Sequence, residues 1–202
     1  MKYFLFDIGK VLVDFDFQEF YRIHSEHSGK PIAPFSERDL EMRDAVETGR
    51  IGDAEWLAYL NEAKGLSWSM GDLVDVWSRL FSLNEIGYGL FRQAQQTAGV
   101  SVHLLSNIAK HHVDSIENNW NGFFDGADSL FLSYEIGVRK PHPDIYRHAL
   151  NKLGVSSEEC FFLDDLLENI EAARSLGINA YQFIPENHDA IRQAAADFFE
   201  WL

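Results

Sequence analysis

Five short and almost continuously apolar segments constrain the fold of this chain more than any other feature. They are residues 3–6, 100–105, 129–132, 160–163 and 180–183. Strands that are buried on both faces have this composition, and such strands belong to parallel sheets. Segments with helical patterns alternate with them. The sequence therefore predicts an α/β fold in which helices cover a doubly wound, mainly parallel sheet.

Proline and glycine mark the ends of two of the predicted helices. A helix over residues 143–153 begins with Pro143, a favourable first-turn residue, and Gly154 follows it. A helix over residues 166–176 precedes Gly177, which is placed to adopt the left-handed conformation that ends helices. A third predicted helix, residues 108–118, follows the second strand.

Residues 17–84 have a different pattern, with no convincing strand. Asp53 is placed to cap a helix that carries Trp56, Leu57 and Leu60 on one face and ends near Gly65. The sequence therefore predicts a helical domain, residues 17–84, inserted into an α/β core made of residues 1–16 and 85–202.

Composition excludes several classes of protein. The chain has 202 residues, of which 46% are apolar, so one core can be buried. Its net charge of -15 disfavours nucleic acid and anionic membranes as partners. No apolar run approaches the roughly 20 residues of a membrane span, and one cysteine cannot form an internal disulfide. We expect a cytoplasmic protein, a monomer or a dimer.

Charged and polar side chains follow four of the predicted strands or the loops after them. They are Asp7, Ser106, Asn107, Arg139, Lys140, Asp164 and Asp165. The carboxyl ends of parallel strands form a crevice in which ligands bind. Because three clustered carboxylates repel one another, they imply a cation, and oxygen ligands without cysteine favour Mg²⁺.

The chemistry of these side chains indicates phosphoryl transfer. A carboxylate such as Asp7 can attack phosphorus and form an aspartyl-phosphate, which divides hydrolysis into two easier steps. The transferred group spreads negative charge over its oxygens, which Mg²⁺, Lys140 and the Ser106 hydroxyl would neutralise.

The same residues carry a family resemblance. Asp7-Ile8-Gly9-Lys10-Val11-Leu12, Leu104-Leu105-Ser106-Asn107, Gly137-Val138-Arg139-Lys140-Pro141 and Leu163-Asp164-Asp165-Leu166-Leu167-Glu168-Asn169-Ile170 resemble the four motifs of the haloacid dehalogenase-like (HAD) hydrolase superfamily. The helical insert resembles its cap. Glu47-Thr48-Gly49-Arg50-Ile51, followed by Trp56, is similar to cap segments of the α-D-glucose-1-phosphate phosphatase subgroup.

This resemblance implies a Rossmann-like core and a role for each matching residue. Asp7 would be the nucleophile, and Lys140 would bridge it to the phosphate. Ser106 and Asn107 would bind the phosphate. Asp7, Asp164, Asp165 and the backbone carbonyl of Gly9 would hold Mg²⁺, with Asn169 supporting the acidic loop. The expected substrate is a small phosphate monoester.

Gly9 departs from the superfamily pattern, in which most phosphatases have a second aspartate at this position. That aspartate protonates the leaving oxygen and then activates water. Asp14 and Asp16 are candidate replacements, although both also suit a turn. A leaving alcohol of low pKa needs protonation least, so its ester would be hydrolysed most readily without this acid. The glycine therefore favours a sugar 1-phosphate as substrate. The glucose-1-phosphate phosphatase subgroup also has glycine here.

Two other functions remain open at this point. A 2-haloacid dehalogenase would use Asp7 against carbon without a metal, but Asp164 and Asp165 would then repel Asp7 without compensation. A non-catalytic protein that binds a phosphorylated ligand would explain Gly9, but it would not need the nucleophile. His103, His111 and His112 we interpret as structural or surface residues.

Overall fold

The computed structural model of the protein describes residues 1–29 and 36–201. The strands are β1 Lys2–Phe6, β2 Val13–Phe15, β3 Phe81–Leu83, β4 Val100–Ser106, β5 Ser129–Leu132, β6 Cys160–Asp164 and β7 Asn179–Gln182. The α-helices are α1 Phe17–Ser28, α2 Glu37–Glu47, α3 Asp53–Lys64, α4 Met70–Leu80, α5 Glu85–Gln96, α6 Lys110–Asn119, α7 Ser133–Ile136, α8 Pro143–Leu153, α9 Leu167–Ser175 and α10 His188–Phe199.

The main sheet has five parallel strands in the order β5-β4-β1-β6-β7. The predicted α/β fold is confirmed, and each predicted strand agrees with the observed one to within one residue at either end. Phe4 and Phe6 pack in the apolar layer on one face of β1, while Leu5 packs in the layer on the other. Burial on both faces explains the continuous apolar composition of these strands.

Helices α1 to α4, which we call the helical insert, occupy the chain between β2 and β3 and share an apolar cluster of their own. Trp56, Leu57 and Leu60 are buried in it as predicted. The predicted cap is displaced by one residue, because α3 begins at Asp53 and its N-cap is Gly52. The Asp53 carboxylate instead contacts His111 of α6.

A two-stranded antiparallel ribbon joins the insert to the core and was not predicted. Strands β2 and β3 pair with Val13 opposite Leu83 and Phe15 opposite Phe81. The expectation that residues 17–84 contain no strand was therefore wrong for β3. A strand of three residues is too short to show a period of two, and its partner lies far away in the chain.

Within the two described ranges, no helix is both long enough and apolar enough to cross a membrane.

Candidate active site

The order of the strands brings the predicted site residues together. Strand β1 lies between β4 and β6, so Asp7, Ser106 and Asp164 meet at the same edge of the sheet. Asp7 directly follows β1, and its backbone N–H donates to the carbonyl oxygen of Leu163 at 2.9 Å. One carboxylate oxygen from each of Asp7, Asp164 and Asp165 can be chosen so that all three lie within 4.8 Å of one another.

Lys140 supplies the positive charge among these carboxylates. Its Nζ lies 2.9 Å from Asp7 Oδ1 and 2.6 Å from Asp164 Oδ2, and it donates to the Leu105 carbonyl at 2.8 Å. Its side chain is fully buried. Burial opposes the charged form, but the attraction of Asp164 and Asp7 outweighs it and raises the pKa of Lys140. We call Asp7, Lys140, Asp164 and Asp165 the strand-end cluster.

Negative charge exceeds positive charge in the strand-end cluster. Burial raises the pKa of Asp7 to about 7, against the opposing attraction of Lys140 and with a further contribution from Asp164. Burial and then repulsion by Asp164 raise the pKa of Asp165 to about 6. One ammonium does not balance the charge of three ionised carboxylates. A divalent cation with oxygen ligands would do so, and the donor set therefore fits Mg²⁺.

Two asparagine side chains hold the cluster in place. Asn107 donates to the Lys140 carbonyl at 2.8 Å and accepts from the Lys140 N–H at 2.7 Å. Its carboxamide thus positions Lys140, so the phosphate contact predicted for Asn107 has to come from other atoms of this residue. Asn169 donates to both carboxylate oxygens of Asp164, at 2.9 and 3.0 Å. Its predicted role in supporting the acidic loop stays a prediction.

Gly9 and Ser106 flank Asp7. Ser106 is buried, and its hydroxyl hydrogen-bonds Asp7, which lowers the pKa of that carboxyl against the larger effect of burial. A Cβ added to Gly9 would lie 3.3 Å from the Phe15 ring. A side chain at this position would therefore require the Phe15 ring to shift by a few tenths of an ångström.

Both carboxylates proposed from the sequence as replacement acids have other contacts. Asp14 accepts a hydrogen bond from Asn84 Nδ2 at 3.1 Å and lies 3.9 Å from Lys10 Nζ. Asp16 caps α1 by accepting from the Gln18 N–H at 2.8 Å. Neither lines the cavity described next.

A cavity of about 370 Å³ lies beside the strand-end cluster, between the core and the helical insert. Gly9, Ser106, Asn107 and residues of α6 border it on the side of the core, and residues of the ribbon and of α1 to α4 form its other walls. Most of these wall residues are aromatic or aliphatic. The cavity thus offers space for the organic part of a ligand whose reacting group lies at Asp7.

Sequence reasoning missed two polar residues of this cavity. His111 lines it and contacts Asp53 through its Nδ1, 2.7 Å from Asp53 Oδ1. Glu47 also lines it, and its Oε2 lies 3.2 Å from an amino group of Arg139. Burial raises the pKa of Glu47, with Arg139 opposing it. In the sequence, Glu47 was marked only as the first residue of the segment that resembles cap segments of the α-D-glucose-1-phosphate phosphatase subgroup. The partners of His111 and Glu47 are too distant in sequence to be predicted.

Comparison with known proteins adds three findings to this geometry. A family model described as haloacid dehalogenase-like hydrolase matches residues 1–177. The D-ribitol-5-phosphate phosphatase of Bacteroides thetaiotaomicron is 26% identical over 206 aligned positions, 96% of each chain. The sesquiterpene phosphatase of Aspergillus oryzae is 35% identical over 83 residues, 40% of each chain.

A solved structure agrees in fold over most of the chain. It is a HAD family enzyme from Bacteroides thetaiotaomicron in complex with magnesium, with a TM-score of 0.75 and 25% identity, and the match covers 91% of this chain and 93% of that one.

Proposed function

This chain belongs to the haloacid dehalogenase-like hydrolases as a phosphoric monoester hydrolase that uses Mg²⁺, and we propose that it works through an aspartyl-phosphate on Asp7. One observation carries this proposal. The buried ammonium of Lys140 contacts Asp7 and Asp164 within an excess of carboxylates, beside a cavity. Such a cluster suits a reaction that needs a carboxylate nucleophile next to an ammonium and a bound cation.

The proposed reaction has two steps. An oxygen of Asp7 attacks phosphorus, the bond between phosphorus and the ester oxygen breaks, and the ester oxygen leaves as the alcohol after taking one proton from solvent. Water then attacks the phosphorus of the aspartyl-phosphate and returns one proton to solvent, the bond between phosphorus and the Asp7 oxygen breaks, inorganic phosphate leaves and the carboxylate of Asp7 is restored. Both steps need Asp7 to be held in place, and its contacts with Lys140 and the Ile8 N–H do this.

Mg²⁺ would be held by Asp7, Asp164 and Asp165, with the backbone carbonyl of Gly9 as a further proposed ligand. When bound, it would neutralise negative charge on the phosphoryl oxygens. Lys140 and the Ser106 hydroxyl would contribute to the same stabilisation from the protein side. Asn107 and Asn169 act through other residues, because they orient Lys140 and Asp164 respectively.

Gly9 has no side chain and so cannot protonate the leaving alcohol. Asp14 and Asp16 make weak candidates because Asn84, Lys10 and the N-terminus of α1 use their carboxylates. An ester with an acidic leaving alcohol, such as a sugar 1-phosphate, would depend least on proton donation. The two curated relatives take a polyol phosphate and, by name, a sesquiterpene phosphate, so the relatives leave the organic part of the substrate open.

We further propose that residues 17–84 form a cap over a core made of residues 1–16 and 85–202. Arg139, the neighbour of Lys140, contacts Asp44 and Glu47 of α2 and so ties the insert to the catalytic loop. A cap in this place would exclude water from the aspartyl-phosphate and select the organic part of the substrate. The expected setting is the cytoplasm, with a soluble phosphate ester as substrate.

The test is phosphate release with and without Mg²⁺ from acetyl phosphate, sugar phosphates and alkyl phosphates. We expect Asp7→Asn to abolish release while Asp16→Asn, whose amide can still cap α1, retains it. Normal turnover by Asp7→Asn would refute the nucleophile. Halide release from a 2-haloacid without metal would support the dehalogenase instead. Binding of phosphate esters without turnover would support a binding protein.

A further inference from the structure

The walls of the cavity are unusually rich in aromatic rings. Seven aromatic side chains of the ribbon and the helical insert line it: Phe15, Phe17, Phe20, Tyr21, Trp56, Trp77 and Phe81. Only one or two polar side chains would be needed to orient a ligand among them. The rings come from five separate elements, β2, α1, α3, α4 and β3, so the aromatic wall is assembled by the tertiary structure.

The rings also hold one another in place. Trp77 lies at the centre of this wall, with ring centroids 6.3 Å from Phe20, 5.7 Å from Phe81 and 4.1 Å from His112. Aromatic pairs at these separations attract one another and restrict each other's rotation. The wall is therefore a preformed apolar surface, and a ligand against it gains by removing apolar area from water.

Several polar groups of the cavity already have partners. The carboxamide of Asn107 binds the Lys140 backbone, Ser106 binds Asp7, and Glu47 forms an ion pair with Arg139. Among the described residues, the cavity-lining side-chain atoms that are buried without a hydrogen-bond partner are Glu47 Oε2, Trp56 Nε1, His111 Nε2 and His112 Nε2, and Tyr21 and Arg43 also line the cavity. Polar atoms that could bind a ligand therefore lie at a few positions in a wall that is mostly aromatic or aliphatic.

A polyol chain fits this inventory poorly. Each hydroxyl that enters the cavity gives up water and needs a replacement hydrogen bond, and an unmatched one disfavours binding. Because most of the lining is aromatic or aliphatic, several of the four hydroxyls of a ribitol chain would face hydrocarbon rather than a hydrogen-bonding atom. A hydrocarbon group with one oxygen would instead cover the aromatic wall. Its oxygen could still hydrogen-bond His111, whose imidazole is oriented by Asp53.

Resting on the proposed phosphatase function, we propose that the organic part of the substrate is mainly hydrocarbon. It is an aromatic or isoprenoid alcohol with at most one or two further oxygen functions, one of which faces His111. The volume of about 370 Å³ lies at the small end of the roughly 300–1,000 Å³ typical of ligand pockets. A chain or fused ring of modest size therefore fits better than a long lipid.

The decisive experiment compares n-octyl phosphate with D-ribitol 5-phosphate. Both are primary alkyl monoesters, so the comparison is dominated by the organic part rather than by the leaving oxygen. We expect kcat/KM at least about tenfold higher for octyl phosphate, since single methylenes in an apolar pocket already change it by roughly 10- to 200-fold. Geranyl phosphate and 2-phenylethyl phosphate should rank with octyl phosphate.

A matched pair of tryptophan variants shows whether the cavity causes the preference. Trp77→Gln should lower the ratio of kcat/KM for octyl phosphate to kcat/KM for ribitol 5-phosphate about tenfold. Trp120→Gln is the control, because Trp120 is also half-buried but does not line the cavity. If Trp77→Gln fails to fold, Leu40→Gln tests the same wall at an exposed position.

The outcomes separate this inference from the phosphatase function. Hydrolysis of acetyl phosphate together with equal or higher kcat/KM for ribitol 5-phosphate would overturn the apolar substrate and leave the phosphatase intact. No Mg²⁺-dependent phosphate release from any compound, acetyl phosphate included, would overturn the phosphatase itself. A preference for octyl phosphate that Trp77→Gln and Leu40→Gln leave unchanged would also overturn the inference.

Discussion

Two buried lysine–aspartate clusters can be compared within this molecule. In the core, Lys140 contacts Asp7 and Asp164, with Asp165 close by. In the helical insert, Lys64 Nζ contacts a single aspartate, with 2.7 Å between it and Asp39 Oδ2. We call Asp39 and its partners the insert cluster.

The two clusters differ in how fully their charge is satisfied. Asp39 also accepts hydrogen bonds from Tyr59 Oη at 2.7 Å and from the Ser36 N–H and hydroxyl, at 2.7 and 2.8 Å. Burial opposes ionisation of Asp39, but Lys64, Ser36 and Tyr59 outweigh it and hold its pKa well below the usual range. In the strand-end cluster the pKa of Asp7 is raised instead.

The comparison teaches how to distinguish a stabilising ion pair from a reactive one. In the insert cluster, one carboxylate accepts hydrogen bonds from several donors. These donors stabilise the ionised form of Asp39. The strand-end cluster leaves negative charge in excess, which costs stability unless a cation or a ligand is bound. We therefore expect the same two residue types to serve structure in one region and chemistry in the other.

The largest expected effect comes from removing each lysine in turn. Lys140→Met should lower kcat by about 10²- to 10³-fold, the usual loss for one charge-stabilising donor. Lys64→Met should leave kcat within about twofold while lowering stability, because it leaves Asp39 buried without its cation. Steady-state kinetics and urea unfolding of both variants check this. A comparable loss of kcat in Lys64→Met would contradict the distinction between a structural insert cluster and a catalytic strand-end cluster.

Magnesium should stabilise one cluster only. At a hundredfold excess over its Kd, a ligand of the folded state adds about 2.7 kcal/mol, which corresponds to about 5–10 °C in the unfolding midpoint of a chain this long. We expect this rise for the wild type and for Asp16→Asn, but a much smaller one for Asp165→Asn. Thermal unfolding in EDTA and in Mg²⁺ measures it. An equal rise in Asp165→Asn would place the ion elsewhere.

The insert cluster should respond to acid. Asp39→Asn should lower the free energy of unfolding by about 2 kcal/mol at pH 7, since it weakens hydrogen bonds to a charged group. The folded pKa of Asp39 is depressed, so its stabilisation is present above about pH 4 and lost as the pH falls through the folded pKa. Urea unfolding at pH 7 and pH 3 should show the difference from wild type shrinking. A difference independent of pH would contradict this assignment.

The smallest effect tests positioning within the strand-end cluster. Asn107→Ala should lower kcat about tenfold and change KM little, because Lys140 loses its orientation while the substrate contacts remain. Asn179→Ala is the control. Its side chain also makes two hydrogen bonds to backbone carbonyls, those of Glu158 and Cys160, away from the site. If both variants lost stability equally and neither lost kcat, Asn107 would be purely structural.

The sequence predicted much of this molecule because its signals are local. Strands buried on both faces produce continuous apolar runs, and the helix Pro143–Leu153 begins and ends as its proline and glycine indicate. The acidic and basic residues at the strand ends were also visible, since parallel strands bring their carboxyl ends to one edge. Strands β2 and β3 could not be predicted, because a strand of three residues is too short to show a hydrophobic pattern.

By itself the sequence determined the α/β class, the helical character of the insert and the set of residues at the strand ends. Only the tertiary structure decided that Asn107 positions Lys140, that Asp53 orients His111 and that Lys64 neutralises Asp39. It also decided which rings face the cavity. The reason is physical. Periodicity and capping depend on neighbouring residues, whereas these contacts join residues that lie 25 to 58 positions apart in the chain, and tertiary packing brings them together.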